Sequence, residues 1–475
     1  MNQHVRPDPL NDMNPYLKGL FAPVREEVTA ERLAVVGEIP KDLYGACFRN
    51  GPNPMTPPKG MHHWFDGDGM IHGIWFENGE ARYANRYVRT ADFEAERQGA
   101  ETMPGIFSPA REVEGRSTVY KDTANTDLVF HGGRLLALWY ISGQPVAVDA
   151  ATLETIGVEN FGGGLKRNVS AHSKVDPVTG EFVFFDYALY EPKMWLGVAS
   201  KDRVLTHYQE IELPGPRLPH DMGLTEHYAI LHDLPVVFTE QAIRNRMWQI
   251  HVADQPTRFG VVPRKGGAPK WFEFPTCYIY HVINAWEEGD EVVMAACKMV
   301  PNGFAPDIAS HGPYAPMVAV LALRAKPFLW RMNMKTGRGR EEQIDDRLSE
   351  FPVINSQYTA QKSIFSYHVV MDEHVEQRFS GLLKYVLTTG DAIVHEFPKG
   401  VYGSEPAFAP KEGARAEDDG YVITFATDLA SGQSEALIID ARNFSTPPLA
   451  RVKLPQRVPA GFHGVWAPGA EIGRR

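Results

Sequence analysis

The 475-residue chain has little cysteine: three residues, Cys47, Cys277 and Cys297, with no CxxC pair. A disulfide framework is excluded, and a reducing compartment, the cytoplasm, is the expected location. Basic residues are the minority, 48 Lys and Arg against 59 Asp and Glu, for a formal net charge of −11. A nucleic-acid binder would show the opposite balance, so no nucleic-acid partner is expected. No stretch reaches the roughly 18 apolar residues of a membrane span. The opening MNQHVRPDPLNDMNPYLKG has prolines and acids where a signal peptide needs a basic start and an apolar run. GxSxG, Walker and strand-linked GxGxxG motifs are absent, which counts against hydrolase, nucleotide and dinucleotide chemistry. Helix signals are scarce. The clearest is Thr90–Gly99, where Thr90 can cap a helix and Gly99 can stop it.

Turn formers and strand formers are plentiful. The chain holds 42 Gly and 36 Pro, about one residue in six. Its 43% hydrophobic and 23% charged residues are ordinary for a globular protein and ample for a core. Runs of β-branched and aromatic residues recur in pairs about short turns. Met70–Phe76 is followed by Ala81–Val88, Leu135–Ile141 by Val146–Asp149, and Tyr278–Trp286 by Glu291–Lys298. Phe182–Leu189 follows a turn at Asp176–Gly180, and Tyr421–Thr427 pairs with Ala436–Asp440. An Asp or Asn at a strand end, followed by small residues, recurs at Asp149, Asp176, Asn333 and Asp440. An Asx turn closing a β-hairpin explains each one. Strand–turn–strand units over the whole length predict an all-β chain arranged by radial repetition, a β-propeller. No Gly/Ser-rich linker divides it, so one domain spanning residues 1–475 is expected. The most apolar segment, Met317–Trp330, contains Arg324 and Lys326. It reads either as a buried strand or as a patch making peripheral membrane contact.

Seventeen histidines stand out. Most histidines are structural, but four share a setting: His172, His220, His281 and His463 each lie at or beside a short apolar strand, tens of residues apart. Imidazoles from separate strands can converge only at the axis of a closed array of sheets. Neutral imidazole suits Fe, Zn, Cu and Ni, and spacing alone leaves the metal open. A second group, His62, His63 and His72, flanks Asp66-Gly67-Asp68-Gly69. That core reads as a tight turn in which glycine supplies positive φ. As a calcium loop it lacks the bidentate Glu at the twelfth position.

Taken together, the ordered motifs resemble the carotenoid cleavage oxygenases, over nearly the full length. The landmarks are Phe48-Arg49-Asn50-Gly51-Pro52-Asn53-Pro54, then Phe65-Asp66-Gly67-Asp68-Gly69-Met70-Ile71-His72, and the four histidine motifs in order. Glu350-Phe351-Pro352, Ser404-Glu405-Pro406 and Val452-Lys453-Leu454-Pro455 ahead of Gly461-Phe462-His463-Gly464 complete the set. The resemblance implies a seven-bladed β-propeller with loops and short helices forming a dome over an axial metal. It implies one Fe(2+) per chain on His172, His220, His281 and His463, with Glu350 and Glu405 hydrogen-bonding ligand imidazoles. It implies a non-haem dioxygenase that inserts O2 across a conjugated C=C of an apocarotenoid or related polyene, giving two carbonyl products. The alternative is the same chemistry on a stilbene or phenylpropanoid alkene. O2 and an apolar alkene are then the partners, with no obligatory protein partner.

One landmark of the family is missing. A third Glu is expected near Tyr140 or Ile141, and stilbene-cleaving relatives place a Lys beside it, here Trp139 or Tyr140. This departure tells against a phenolic stilbene and leaves one imidazole, His220 above all, in need of another acceptor, such as water or the Tyr140 hydroxyl. Phe65, Trp139, Tyr140 and Phe462 are the candidate substrate contacts; packing between blades is the alternative for Trp139 and Tyr140.

Overall fold

The computed structural model describes residues 13–58, 62–100, 103–106, 114, 118–245, 248, 250–299, 324–372 and 377–472. Seven antiparallel sheets, each a blade, surround a central axis. We number the blades in chain order. Blade 1 is Thr29–Ala30, Glu80–Tyr87, Gly69–Glu77, Gly45–Pro52 and the late strand Gly464–Pro468. Blades 2 and 3 are the consecutive sets Asp127–Val158 and Lys174–Glu212. Blade 4 covers Gly223–Phe274 and carries a two-stranded extension, Val236–Phe238 with Ile250–Val252. Blades 5 and 6 are Tyr278–Gln343 and Ser349–Glu396. Blade 7 runs from Val401 to Lys453, with Val35–Gly37 added at its outer edge.

The late strand Gly464–Pro468 pairs with Gly45–Pro52, Arg49 opposite Gly464, and so joins the two ends of the chain in one blade. Val35–Gly37 does the same for blade 7, Val35 facing Val452. These two cross-links close the ring and leave no seam between first and last blades.

Middle strands are covered on both faces by neighbouring blades. Phe182–Tyr187 is buried at every position, which is why it reads as a continuous apolar run rather than an alternation. Outer strands such as Asp391–Glu396 are largely exposed and carry little apolar signal. The paired runs of the sequence fold as hairpins, with Met70 opposite Tyr87, Leu135 opposite Val148, and Tyr421 opposite Asp440. All four Asx turns form: the side chains of Asp149, Asp176, Asn333 and Asp440 each accept from backbone N–H groups two and three residues on. The short helix Ala91–Arg97 is capped by the Thr90 hydroxyl, which accepts from Phe93 N–H at 3.1 Å.

The Asp66–Gly69 turn differs from expectation in one respect. Gly67 has φ of −68°, and neither Gly67 nor Gly69 adopts positive φ. Glycine is needed for space instead: a Cβ on Gly67 would lie 2.8 Å from Pro52 Cβ, and one on Gly69 2.8 Å from the Ala124 carbonyl oxygen. The Asp68 carboxylate is engaged by Lys121 at 2.7 Å, and Asp66 accepts from His63 and Ile106 N–H groups. Of the Met317–Trp330 segment, residues 317–323 lie outside the described residues. The rest enters the strand Ala325–Asn333, where Trp330 is fully buried. Among the described residues no helix is long and apolar enough to cross a membrane.

Candidate metal centre

Each of the four histidines is delivered by a strand next to the axis. His172 lies two residues before the inner strand of blade 3, Lys174–Val175, and His220 three before that of blade 4, Gly223–Leu224. His281 lies within the inner strand of blade 5, and His463 directly before the closing strand of blade 1. Local backbone irregularity aims them. The pairing register slips on both sides of Val282, so a bulge sits at His281. His172 has φ of +64°, a strained conformation for a non-glycine residue that costs roughly 1–3 kcal/mol and tends to cluster at functional sites. Asp127 holds it there by accepting the His172 N–H at 2.8 Å. Asp221 performs the same service twice, accepting Met222 N–H at 2.6 Å and Val282 N–H at 2.7 Å, and so ties the His220 loop to the His281 strand.

The imidazoles converge. Ligand atoms of His172, His220 and His281 all lie within 4.8 Å of one another. Nε2 of His172 and Nε2 of His220 are 3.2 Å apart. The His463 ring centroid is 4.4 Å from that of His172 and 4.7 Å from that of His281. All four rings are buried, 5–6% exposed.

Two carboxylates stand behind this cluster. His281 Nδ1–H donates to Glu350 Oε2 at 2.5 Å, and His463 Nδ1–H donates to Glu405 Oε1 at 2.8 Å. Glu350 Oε2 also accepts Phe351 N–H, and Glu405 Oε2 accepts Gly464 N–H. An acceptor at Nδ1 leaves the Nε2 lone pair facing the centre. His281 Nε2 has no hydrogen-bond partner although it is fully buried. Burial and the neighbouring imidazoles hold His172, His220 and His281 well below the usual histidine range, so they are neutral. Burial also lowers His463, but the Glu405 carboxylate outweighs it and the net shift is upward. Burial pushes the Glu350 carboxyl up to about 8. Buried, neutral nitrogen donors with an orphaned lone pair are the donor set of a divalent first-row metal, so the residues fit such an ion.

A chamber of about 20 Å³ adjoins the cluster, walled mainly by Trp64, Phe65, Tyr140, Tyr280, Phe351 and Phe462. Phe65 packs edge-on against Tyr140 at 4.6 Å, and Trp64 lies 4.4 Å from Phe462. Three of the four candidate substrate contacts therefore line it. Trp139 does not: it is 2% exposed, lies beside Tyr140 within the surrounding core, and its indole N–H has no partner. Tyr140 faces His220 with ring centroids 6.0 Å apart. Its hydroxyl is buried without a hydrogen-bond partner and does not bond the imidazole. Among the described residues His220 has no carboxylate beside it of the kind that serves His281 and His463.

The sequence matches the family described as retinal pigment epithelial membrane protein (RPE65) over residues 21–468. The chain belongs to the RPE65/carotenoid cleavage oxygenase family. It is 36% identical to a carotenoid 9,10(9′,10′)-cleavage dioxygenase of Crocus sativus, covering 94% of this chain and 88% of that one. It is 29% identical to an isoeugenol monooxygenase of Pseudomonas nitroreducens, covering 97% and 99%. The solved lignostilbene dioxygenase of Pseudomonas brassicacearum superposes with a TM-score of 0.85 at 28% identity, over 96% of this chain and 99% of that one. The chain is an oxygenase of this family.

Several residues of the centre carried no signal in the sequence. Asp127 is far along the chain from each of the four clustered histidines, and only the adjacency of blades 2 and 3 brings it to His172. Asp221 did carry one, being next to His220. Tyr280 is equally adjacent to His281, whereas Trp64 and Phe351 owe their place to packing.

Proposed function

We propose that this chain is a non-haem Fe(II) oxygenase, with one iron per chain, that cleaves a conjugated C=C of an apocarotenoid or related polyene to two carbonyl products. The observation that supports it is the convergence of four buried imidazoles, two backed by carboxylates, on an aromatic chamber. His172, His220, His281 and His463 would hold the iron, which when bound supplies dioxygen activation. Glu350 and Glu405 fix the tautomer and orientation of two of the rings. Trp64, Phe65 and Phe462 would offer flat apolar faces to a conjugated chain once these rings part to admit it, since only about 20 Å³ lies open between them, and would exclude water from the reacting carbons. Neutral ligands leave the full dipositive charge of the ion in place.

The Tyr140 hydroxyl favours one second reading, a stilbene or phenylpropanoid alkene. It is an unpartnered donor on the wall of the chamber, placed to take an oxygen carried near the double bond. Aerobic incubation of iron-loaded protein with an apocarotenal and, separately, a hydroxystilbene decides between the two by product mass. Under labelled dioxygen, with rapid trapping, both carbonyl products of a dioxygenase carry label. Label in one product alone would overturn the dioxygenase assignment. His281→Ala should lose both iron and turnover while remaining folded, and full metal content in that variant would remove the ligand assignment.

A further inference from the structure

The histidine cluster opens on a second space besides the chamber. A cavity of about 620 Å³ also reaches His172, His281 and His463. The two spaces lie at opposite ends of the inner strands. The chamber takes Tyr280 and Phe462, which precede His281 and His463. The larger cavity takes Lys174, Val282–Ala285 and Gly464–Val465, which follow His172, His281 and His463. The histidines are thus a partition across the propeller axis, with an aromatic chamber on one side and a wide funnel on the other.

The two sides differ in chemistry. The chamber holds about one water and presents mainly aromatic faces. The funnel presents Asp127, Asp221 and Glu405 deep in its wall, with Lys174 salt-bridged to Asp221 at 2.8 Å. Its rim is solvent-exposed at Lys201, Ser356, Gln357 and Glu471. A hydrated divalent cation cannot shed its water against aromatic walls without a large penalty, whereas carboxylates and carbonyls replace water as it is lost. We infer that this axial funnel is the route by which a divalent metal ion reaches and leaves the four imidazoles, separate from the aromatic chamber. The inference rests on the metal reading under Proposed function. It assigns Asp127 and Asp221 a second use beyond bracing the backbone, as the inner acidic wall that draws the cation inward.

A route sets a barrier, and a site sets an equilibrium. A charge placed at the rim changes the energy of an ion in transit more than that of the bound ion. Loading and release rates then move together, and affinity stays nearly fixed.

Gln357 is exposed and makes no contact with the histidines, so its variants report on the route alone. The full chain, stripped of metal, is mixed with Co(II) in stopped flow and followed by cobalt absorbance; release is followed with excess chelator, and affinity by equilibrium titration. At low salt Gln357→Lys should slow both loading and release by about two- to fivefold, and Gln357→Glu should speed both by a similar factor. Salt at about 0.5 M should bring both back towards wild type. Ser356→Lys gives a second, independent rim charge with the same expected direction as Gln357→Lys. Wild-type rates in all three rim variants, with normal affinity, would overturn the route. Loading accelerated by Phe462→Ala and indifferent to rim charge would overturn it as well, assigning passage to the chamber. Failure of the wild-type chain to bind cobalt one-to-one would remove the metal reading and the route with it, and is told apart by the equilibrium titration.

Discussion

Replacing Glu350 by Gln isolates the charge of one residue from its geometry. Glu350 Oε2 accepts both the His281 Nδ1–H, at 2.5 Å, and the Phe351 N–H, at 2.7 Å. A Gln side chain can offer its amide oxygen at the same place and keep both bonds. Its NH2 then occupies the position of Glu350 Oε1, which is buried and has no partner. What is lost is the capacity to become negative behind the imidazole: with its carboxyl pushed up to about 8, Glu350 is largely protonated in the metal-free protein and ionises when a dication sits in front of it. Hydrogen bonds to charged groups are worth about 1.5–3 kcal/mol against about 0.5–1.5 for neutral ones, a difference of about 1–1.5 kcal/mol. Metal affinity should therefore weaken about five- to tenfold. Glu350→Ala leaves His281 Nδ1–H with no acceptor and should reach the 10–100-fold range typical of lost outer partners of metal ligands. The metal-free protein should respond differently. Burial already keeps the Glu350 carboxyl, at about 8, largely neutral in that state, so Glu350→Gln exchanges one neutral group for another of the same shape and should melt close to wild type at neutral pH. The assay is an anaerobic Fe(II) or Co(II) titration paired with thermal melts of the stripped protein. Unchanged affinity in Glu350→Ala would refute the reasoning, because the carboxylate would then be structural only.

Tyr140→Phe should leave metal affinity as in wild type, since the hydroxyl bonds no imidazole, and should alter the relative turnover of oxygen-bearing and purely apolar alkenes; weakened metal retention would show a link to His220 that the geometry does not contain. Asp66 is buried and its carboxyl is pushed up to about 6 from 3.8. The folded state therefore favours the protonated form: this contribution to stability is complete below about pH 4 and is lost as pH rises through 6, worth about 3 kcal/mol at 1.36 kcal/mol per unit. Asp66→Asn should flatten the melting temperature over that window, and an unchanged slope would exclude Asp66 as the titrating group. Arg264→Met should destabilise by about 3–5 kcal/mol, because it strands the carboxylate of Asp176, paired at 2.7 Å, together with Glu181 at the junction of blades 3 and 4. Chemical denaturation measures this, and a loss below about 1 kcal/mol would place the pair among surface bridges.

The sequence by itself determined the strands, their hairpins and which four histidines share a strand-end setting. Middle strands are buried on both faces, so their apolar runs are local facts that survive without a partner in view. Asx turns are local too, because the side chain bonds its own backbone two and three residues on; Asp149, Asp176, Asn333 and Asp440 all folded as read. The glycines of Asp66–Gly69 were legible as necessary but not for the right reason, since their constraint is contact with Pro52 and Ala124 rather than a turn conformation. The tertiary structure alone decided how the histidines meet. A bulge at His281, positive φ at His172 and the pairing of Gly464–Pro468 with Gly45–Pro52 are products of ring closure, which no window of sequence contains. It also decided that Trp139 stays behind the chamber while Tyr140 enters it, and that Asp127 reaches His172 from another blade. Such contacts depend on which blades are neighbours and how far each strand runs along the axis. That is fixed only when seven sheets pack at once.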